Sequence, residues 1–262
     1  MGSYQNILVE KEDNGICTVT INRPKVLNAL NPETMRELDD AADKIAADLS
    51  IRVVIITGSG NKAFVAGADI ASMSTMGLWE GREWGVLGGG VSQKIEELPQ
   101  IVIAAVNGYA LGGGTVLATS CNIRLAADNA VFGLPEVKLG IMAGFACTQT
   151  LPRLIGVPNA IELMTTGKHI NAQEAYRIGL VNKVVPANEL LAAAREMAKQ
   201  IAANGPLAVR LTKRAIYEGL SMDLAAGRIY ERELHGLCFT TEDQKEGMRA
   251  FLEKRKPNFK DR

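Results

Sequence analysis

Three short segments of the chain carry the residue types needed to hold an anion and move a proton. The first is Lys62-Ala63-Phe64-Val65-Ala66-Gly67-Ala68-Asp69-Ile70 and the second is Val106-Asn107-Gly108-Tyr109-Ala110-Leu111-Gly112-Gly113-Gly114, each after a predicted strand. The third is Phe132-Gly133-Leu134-Pro135-Glu136-Val137-Lys138-Leu139-Gly140. Their small-residue turns let a backbone approach a ligand closely. The second turn opens a predicted helix, whose first amides and dipole would face negative charge. Two backbone N–H groups offered from separate strand ends form an oxyanion hole, and each such donor stabilises a developing enolate by about 3 kcal/mol. One such turn alone is weak evidence, since glycines after strands are common; the combination and order of all three is strong. Glu136 adds a carboxylate able to exchange a proton at carbon. Residue 116, within Gly112-Gly113-Gly114-Thr115-Val116-Leu117-Ala118, is a valine, which neither accepts nor donates a proton.

The elements that must position these residues follow from pattern. Ile7 to Glu10 and Ile16 to Ile21 read as strands around an Asp13-Asn14-Gly15 turn. Asn31-Pro32 opens a helix to about Asp48, with an Asn cap and Pro at its first position. Arg52 to Thr57 and Ile101 to Val106 are continuous apolar runs, as in strands buried on both faces. Glu80 to Leu98 reads as helix, which Gly88-Gly89-Gly90 is expected to loosen. Thr115 to Ser120 is expected helical, Ile123 to Ala126 a short strand, and Leu151 to Ile155, Ala160 to Thr165 and Asn171 to Ile178 helices. After a strand over Leu180 to Val185 come helices over Glu189 to Ala203, Leu207 to Gly219 and Asp223 to Glu253. Strands alternating with helices, then helices alone, predict an α/β core followed by a helical C-terminal domain, with residues 1–200 and 201–262 as the division.

Composition removes several function classes. Lys plus Arg equals Asp plus Glu at 29 each, so no net charge steers the chain toward nucleic acid or an anionic membrane. Aromatic residues are too few for a base-stacking surface. No apolar run approaches the roughly 20 residues that span a bilayer, and the N-terminus shows no signal peptide. Gly2 lacks the acylation context, since residue 6 is Asn. Four scattered cysteines without a CxxC pair point to reduced thiols in the cytoplasm. His169 and His235 have no metal-ligand spacing, so no metal is expected.

The three segments, with Ile21-Asn22-Arg23-Pro24-Lys25-Val26-Leu27-Asn28-Ala29-Leu30 and the terminal Ala250-Phe251-Leu252-Glu253-Lys254-Arg255, make the chain resemble the crotonase (enoyl-CoA hydratase/isomerase) family over essentially its whole length, bacterial short-chain hydratases above all. The resemblance implies a crotonase-like spiral of ββα units closed by a C-terminal helical trimerisation domain, and a homotrimer or a hexamer made of two trimers. It implies an acyl-CoA substrate, with CoA bound as part of the substrate and no separate cofactor. Ala68 and Gly113 would supply the oxyanion-hole N–H groups and Glu136 the catalytic carboxylate. Lys25, Val26, Leu27, Ala66, Asp69 and Ile70 would line the CoA path. Phe251 and Lys254 would reach the CoA of a neighbouring subunit. Val116, Phe145 and Cys147 would belong to the acyl pocket.

The departures from the family pattern are local. Gly-Gly-Gly-Cys-Glu-Leu-Ala of the hydratases is Gly112-Gly113-Gly114-Thr115-Val116-Leu117-Ala118 here. Pro-Gly-x-Gly-Gly-Thr-Gln is Ala143-Gly144-Phe145-Ala146-Cys147-Thr148-Gln149. Val116 removes the carboxylate that handles water in the hydratases, so one carboxylate, Glu136, is left for acid–base work. With it, a 1,3-proton transfer is complete, and double-bond isomerisation is expected ahead of hydration. Hydratase activity despite Val116, and acyl-CoA binding with little catalysis, are the alternatives. Bland readings stand beside the sharp ones: Glu136 as a solvated loop carboxylate, Val116 as helix core, Cys147 as a small apolar filler, and Lys254-Arg255-Lys256 as a solvated tail. Burial beside Val116 is expected to raise the Glu136 pKa.

Overall fold

The computed structural model describes residues 4–262; Gly2, considered above for acylation, lies outside them. The strands are β1 (Ile7–Lys11), β2 (Ile16–Ile21), β3 (Val53–Gly58), β4 (Ala63–Ala66), β5 (Ile101–Val106), β6 (Tyr109–Leu111), β7 (Ile123–Ala127), β8 (Val131–Gly133), β9 (His169–Asn171) and β10 (Lys183–Val185). The helices of the first half are α1 (Pro32–Ala47), the single turn α2 (Ile70–Met73), α3 (Leu78–Glu97) and α4 (Gly113–Ser120). Those of the second half are α5 (Cys147–Ile155), α6 (Val157–Thr166), α7 (Ala172–Arg177), α8 (Leu190–Ala202), α9 (Pro206–Gly219), α10 (Leu224–Cys238) and α11 (Glu242–Leu252). No helix among the described residues is long and apolar enough to cross a membrane.

Two sheets result. Six strands run in the order β1-β2-β3-β5-β7-β10, all parallel from β2 to β10, with β1 antiparallel at one edge. Four run in the order β4-β6-β8-β9, with β4, β6 and β8 parallel and β9 antiparallel. Three times a strand of the large sheet is followed by one of the small sheet and then by helix: β3-β4-α2-α3, β5-β6-α4 and β7-β8-α5. These are the ββα units that the resemblance implies, and the fold class is α/β.

The continuous apolar runs are explained by burial on both sheet faces. Along β3, Val53 and Ile55 face the cluster closed by Ala194 and Ala198 of α8, while Val54 and Ile56 face the main core. Along β5, Ile103 and Ala105 share the α8 side, and Val102, Ala104 and Val106 the other. Full burial of an aliphatic side chain stabilises by about 1.5–3 kcal/mol, so these two strands anchor the fold. The turns after them are fastened by Asn107, whose Nδ2 donates to Gly58 O and Gly60 O, both at 2.9 Å. At α1 the expected cap is present: Asn31 Oδ1 accepts from Thr34 N at 2.8 Å.

Several expectations need correction. Gly88-Gly89-Gly90 does not interrupt α3. The expected helix from Asp223 to Glu253 is two helices, α10 and α11, because Thr241 caps a fresh start by accepting from Gln244 N at 3.0 Å. The strand expected from Leu180 begins only at Lys183, since the amides of Leu180 and Val181 close the end of α7 on Ala175 O. The small sheet was not anticipated as strands at all: its members span three or four residues, too short for a period to register.

Candidate active site

The small sheet is what assembles the site. Ala68, Gly113 and Glu136 follow β4, β6 and β8, three adjacent parallel strands. Neighbouring strands stand about 4.8 Å apart, so three turns distant in sequence meet along one ledge. A Cβ built on Gly113 would lie 3.9 Å from Ala68 N. Leu30 pins the chain on either side of Ala68: its N–H donates to Gly67 O at 2.8 Å, and its carbonyl accepts from Asp69 N at 2.7 Å. The Ala68 N–H itself, and that of Gly113 at the head of α4, find no protein acceptor among the described residues. Such a pair of free amides is the donor set an oxyanion requires.

Gly112 makes the approach possible. Its backbone is left-handed, with φ 49° and ψ −120°, and a Cβ there would stand 2.9 Å from Glu136 Oε1. Thr115, where the hydratases carry cysteine, is buried and ties α4 to the sheet through its hydroxyl, which lies 2.6 Å from Ala110 O and 2.9 Å from Gly133 O. Nothing in the sequence distinguished Thr115 from its neighbours as a structural tie.

Glu136 stands in the single helical turn Pro135–Leu139. Desolvation raises its pKa from the ordinary value, partly opposed by a hydrogen bond from its own backbone. Its Oε2 is buried with no hydrogen-bond partner. It opens on a cavity of about 730 Å³, which Ala66, Ala68, Ile70, Gly113, Val116 and Phe145 also line. Val116 is only 2% exposed and presents apolar surface to the cavity. The remaining walls include Met73, Met76, Ile141, Met142 and Trp84, none of which the sequence singled out. Among the lining residues Glu136 is the only ionisable side chain.

The CoA-path candidates divide. Leu27 O accepts from Ala66 N at 3.0 Å, which lays the loop carrying Lys25, Val26 and Leu27 beside the end of β4. All three are exposed, an unusual setting for two aliphatic side chains. Asp69 Oδ2 accepts from Arg23 at 3.4 Å and ties the same loop to the turn after β4, so its carboxylate is engaged by the Arg23 guanidinium. Phe251 and Lys254 lie at the end of α11, exposed and outside the cavity of their own chain. Cys147 corrects the expected pocket: as the first residue of α5 it is wholly buried in the main core and does not line the cavity. Desolvation first, and the nearby Glu136 second, push its thiol up to about 12, leaving it protonated.

Phe145 does line the cavity, held by an unusual backbone. Phe145 and Ala146 both have positive φ, 55° and 65°, a conformation that costs an L-residue about 1–2 kcal/mol. Ala146 occupies a position where the hydratase pattern has glycine. The Phe145 ring meets Trp84 edge to face at 5.1 Å and 72°.

A family model described as enoyl-CoA hydratase/isomerase matches residues 11–262. The chain is 53% identical over 257 residues to a crotonyl-CoA hydratase of Syntrophomonas wolfei, covering 98% of each chain. It is 52% identical over 258 residues to a short-chain-enoyl-CoA hydratase of Clostridium acetobutylicum, again covering 98% of each. The crystal structure of an enoyl-CoA hydratase from Bacillus anthracis superposes with a TM-score of 0.96 at 43% identity, covering 98% of this chain and all of that one.

Proposed function

The chain belongs to the enoyl-CoA hydratase/isomerase family, and from that premise we propose that it is an acyl-CoA enzyme that forms a thioester enolate and isomerises a carbon–carbon double bond. The observation that carries this reading is the cavity with one ionisable side chain, Glu136, facing a wall where Val116 stands. The thioester oxygen sits between the Ala68 and Gly113 amides. Glu136, ionised, takes a proton from the α carbon; the electron pair moves onto the thioester oxygen, and the two amides stabilise that charge. The protonated Glu136 then gives its proton to the γ carbon as the double bond moves. One carboxylate starts and ends the cycle in the same state, so no second acid or base is required. A pKa raised by desolvation suits both half-steps, because it makes Glu136 a better proton acceptor than an ordinary carboxylate while leaving it able to return the proton.

Hydration is the second reading, favoured by the names of the relatives and by identity along the whole chain. It asks more of this site, because water must be activated and added at the β carbon. The missing carboxylate supplies a kind of catalysis that typically contributes about 10²–10⁴-fold. Decarboxylation is less well supported, since no cation lines the cavity to receive a second carboxylate on the acyl group. Binding without catalysis is opposed by the placing of Glu136. For assembly we propose a homotrimer that pairs into a hexamer, supported by exposed apolar residues on the last helices, among them Leu220, Leu224, Phe251 and Leu252.

The decisive experiment follows 3-enoyl- and 2-enoyl-CoA by chromatography. Wild type is expected to interconvert them and to hydrate crotonyl-CoA slowly. Val116→Glu is expected to raise hydration by about tenfold or more. Glu136→Gln is expected to abolish solvent deuterium entry at the α and γ carbons. Crotonyl-CoA hydration by wild type at full hydratase speed would overturn the isomerase reading.

A further inference from the structure

We infer that Phe145 is a partition that ends the acyl cavity and sets the length of acyl group the site accepts. This rests on reading the cavity as an acyl-CoA site. One edge of the ring lies beside the oxyanion donor: a Cβ on Gly113 would stand 3.7 Å from Phe145 Cε2. The other edge fills a notch in α3, where a Cβ on Gly88 would fall 2.0 Å from Phe145 Cε1 and 2.4 Å from Cζ. The ring therefore crosses the whole gap between the head of α4 and α3. Trp84, one turn before Gly88, meets it edge to face and holds it across.

What lies beyond the ring gives the partition its consequence. A second space of about 1170 Å³ lies between α3 and α9, lined by Ala146, Gly89, Ser92 and Ser120 and by the charged Glu96, Arg210 and Lys213. The active-site cavity is bounded by Phe145 and Gly85, the second by Ala146 and Gly89. Phe145 lines the active-site cavity alone and Ala146 the second space alone, both on a backbone with positive φ. An acyl chain leaving the oxyanion hole meets that ring first, so wild type takes short acyl groups. Removing the ring empties the notch against Gly88 and lengthens the active-site cavity at that end, which gives a longer chain somewhere to go.

The test measures the binding of saturated butyryl-, hexanoyl-, octanoyl- and decanoyl-CoA by calorimetry, which needs no turnover. In wild type, affinity is expected to stop rising after the shortest members. In Phe145→Ala it is expected to keep rising, with the decanoyl-to-butyryl affinity ratio increasing by about tenfold or more, since a single methylene in an apolar pocket is worth roughly that much. Phe145→Leu keeps an apolar branched side chain in the notch and carries the same expectation at smaller size should the alanine variant fail to fold. An unchanged length profile in a folded variant overturns the role of Phe145 and leaves the acyl-CoA reading intact. If no acyl-CoA binds wild type, the acyl-CoA reading falls and the partition with it.

Discussion

Glu136 has one carboxylate oxygen buried without a partner, so the folded protein holds its ionised form poorly. Its folded pKa is raised, so the unfolded chain loses this proton first as pH increases. Across the interval between the ordinary and the raised value the folded state binds more protons, and stability falls with rising pH. Glu136→Gln removes that dependence. The variant's melting temperature is therefore expected to match wild type most closely in acid and to exceed it increasingly as pH rises above the ordinary carboxylate value. Thermal melts of both proteins across that range check this; a constant gap would mean that Glu136 is not desolvated. The same residue shows how far sequence reading reaches at this scale. That Glu136, Ala68, Gly113 and Val116 meet at one cavity was legible because each belongs to a short motif whose proposed chemistry depends on residue type. The cavity walls Met73, Met76 and Met142 were not, because methionine fills gaps without a pattern. Cys147 was misplaced because adjacency to Phe145 in sequence says nothing about which of the two faces a cavity.

Among the elements, α3 shows most clearly why propensity misled. Three successive glycines are poor helix formers, yet the helix continues through them, and they are not equivalent. Gly88 is required by the ring of Phe145, while a Cβ on Gly90 would meet nothing within 4 Å. Gly88→Ala is expected to destabilise by about 1–3 kcal/mol through overpacking. Gly90→Ala is expected to stabilise by up to about 1 kcal/mol through helix propensity. Urea denaturation of the two variants separates the effects; equal shifts would show that the ring does not depend on the notch. The large sheet was readable because β3 and β5 are unbroken apolar runs buried on both faces. The small sheet was not, because β6, β8 and β9 are three residues each and derive their pairing from neighbours distant in sequence.

Across the whole molecule, Lys213 joins the C-terminal helices to the core. Its Nζ, in α9, donates to Leu98 O at 2.6 Å and Gln100 O at 3.0 Å, between α3 and β5. Desolvation lowers its pKa to about 8 from 10.5, against weaker pulls from Cys121 and Glu96. Between those values the unfolded chain holds a proton that the folded chain has released, so stability rises with pH there. Lys213→Met is expected to lose that rise, which denaturant titrations of both proteins at pH values spanning the interval would detect; identical slopes would contradict it. The ledge formed by β4, β6 and β8 has a different consequence. It holds the Ala68 and Gly113 amides through backbone pairing and the Thr115 hydroxyl, none of which involves the side chain at position 116. On the proposed reading, substitution there is expected to change which reaction follows the enolate without rebuilding the support beneath it. A saturation library at that one codon would therefore sample chemistries rather than folds, and the scaffold behaves as a socket into which different outcomes can be fitted.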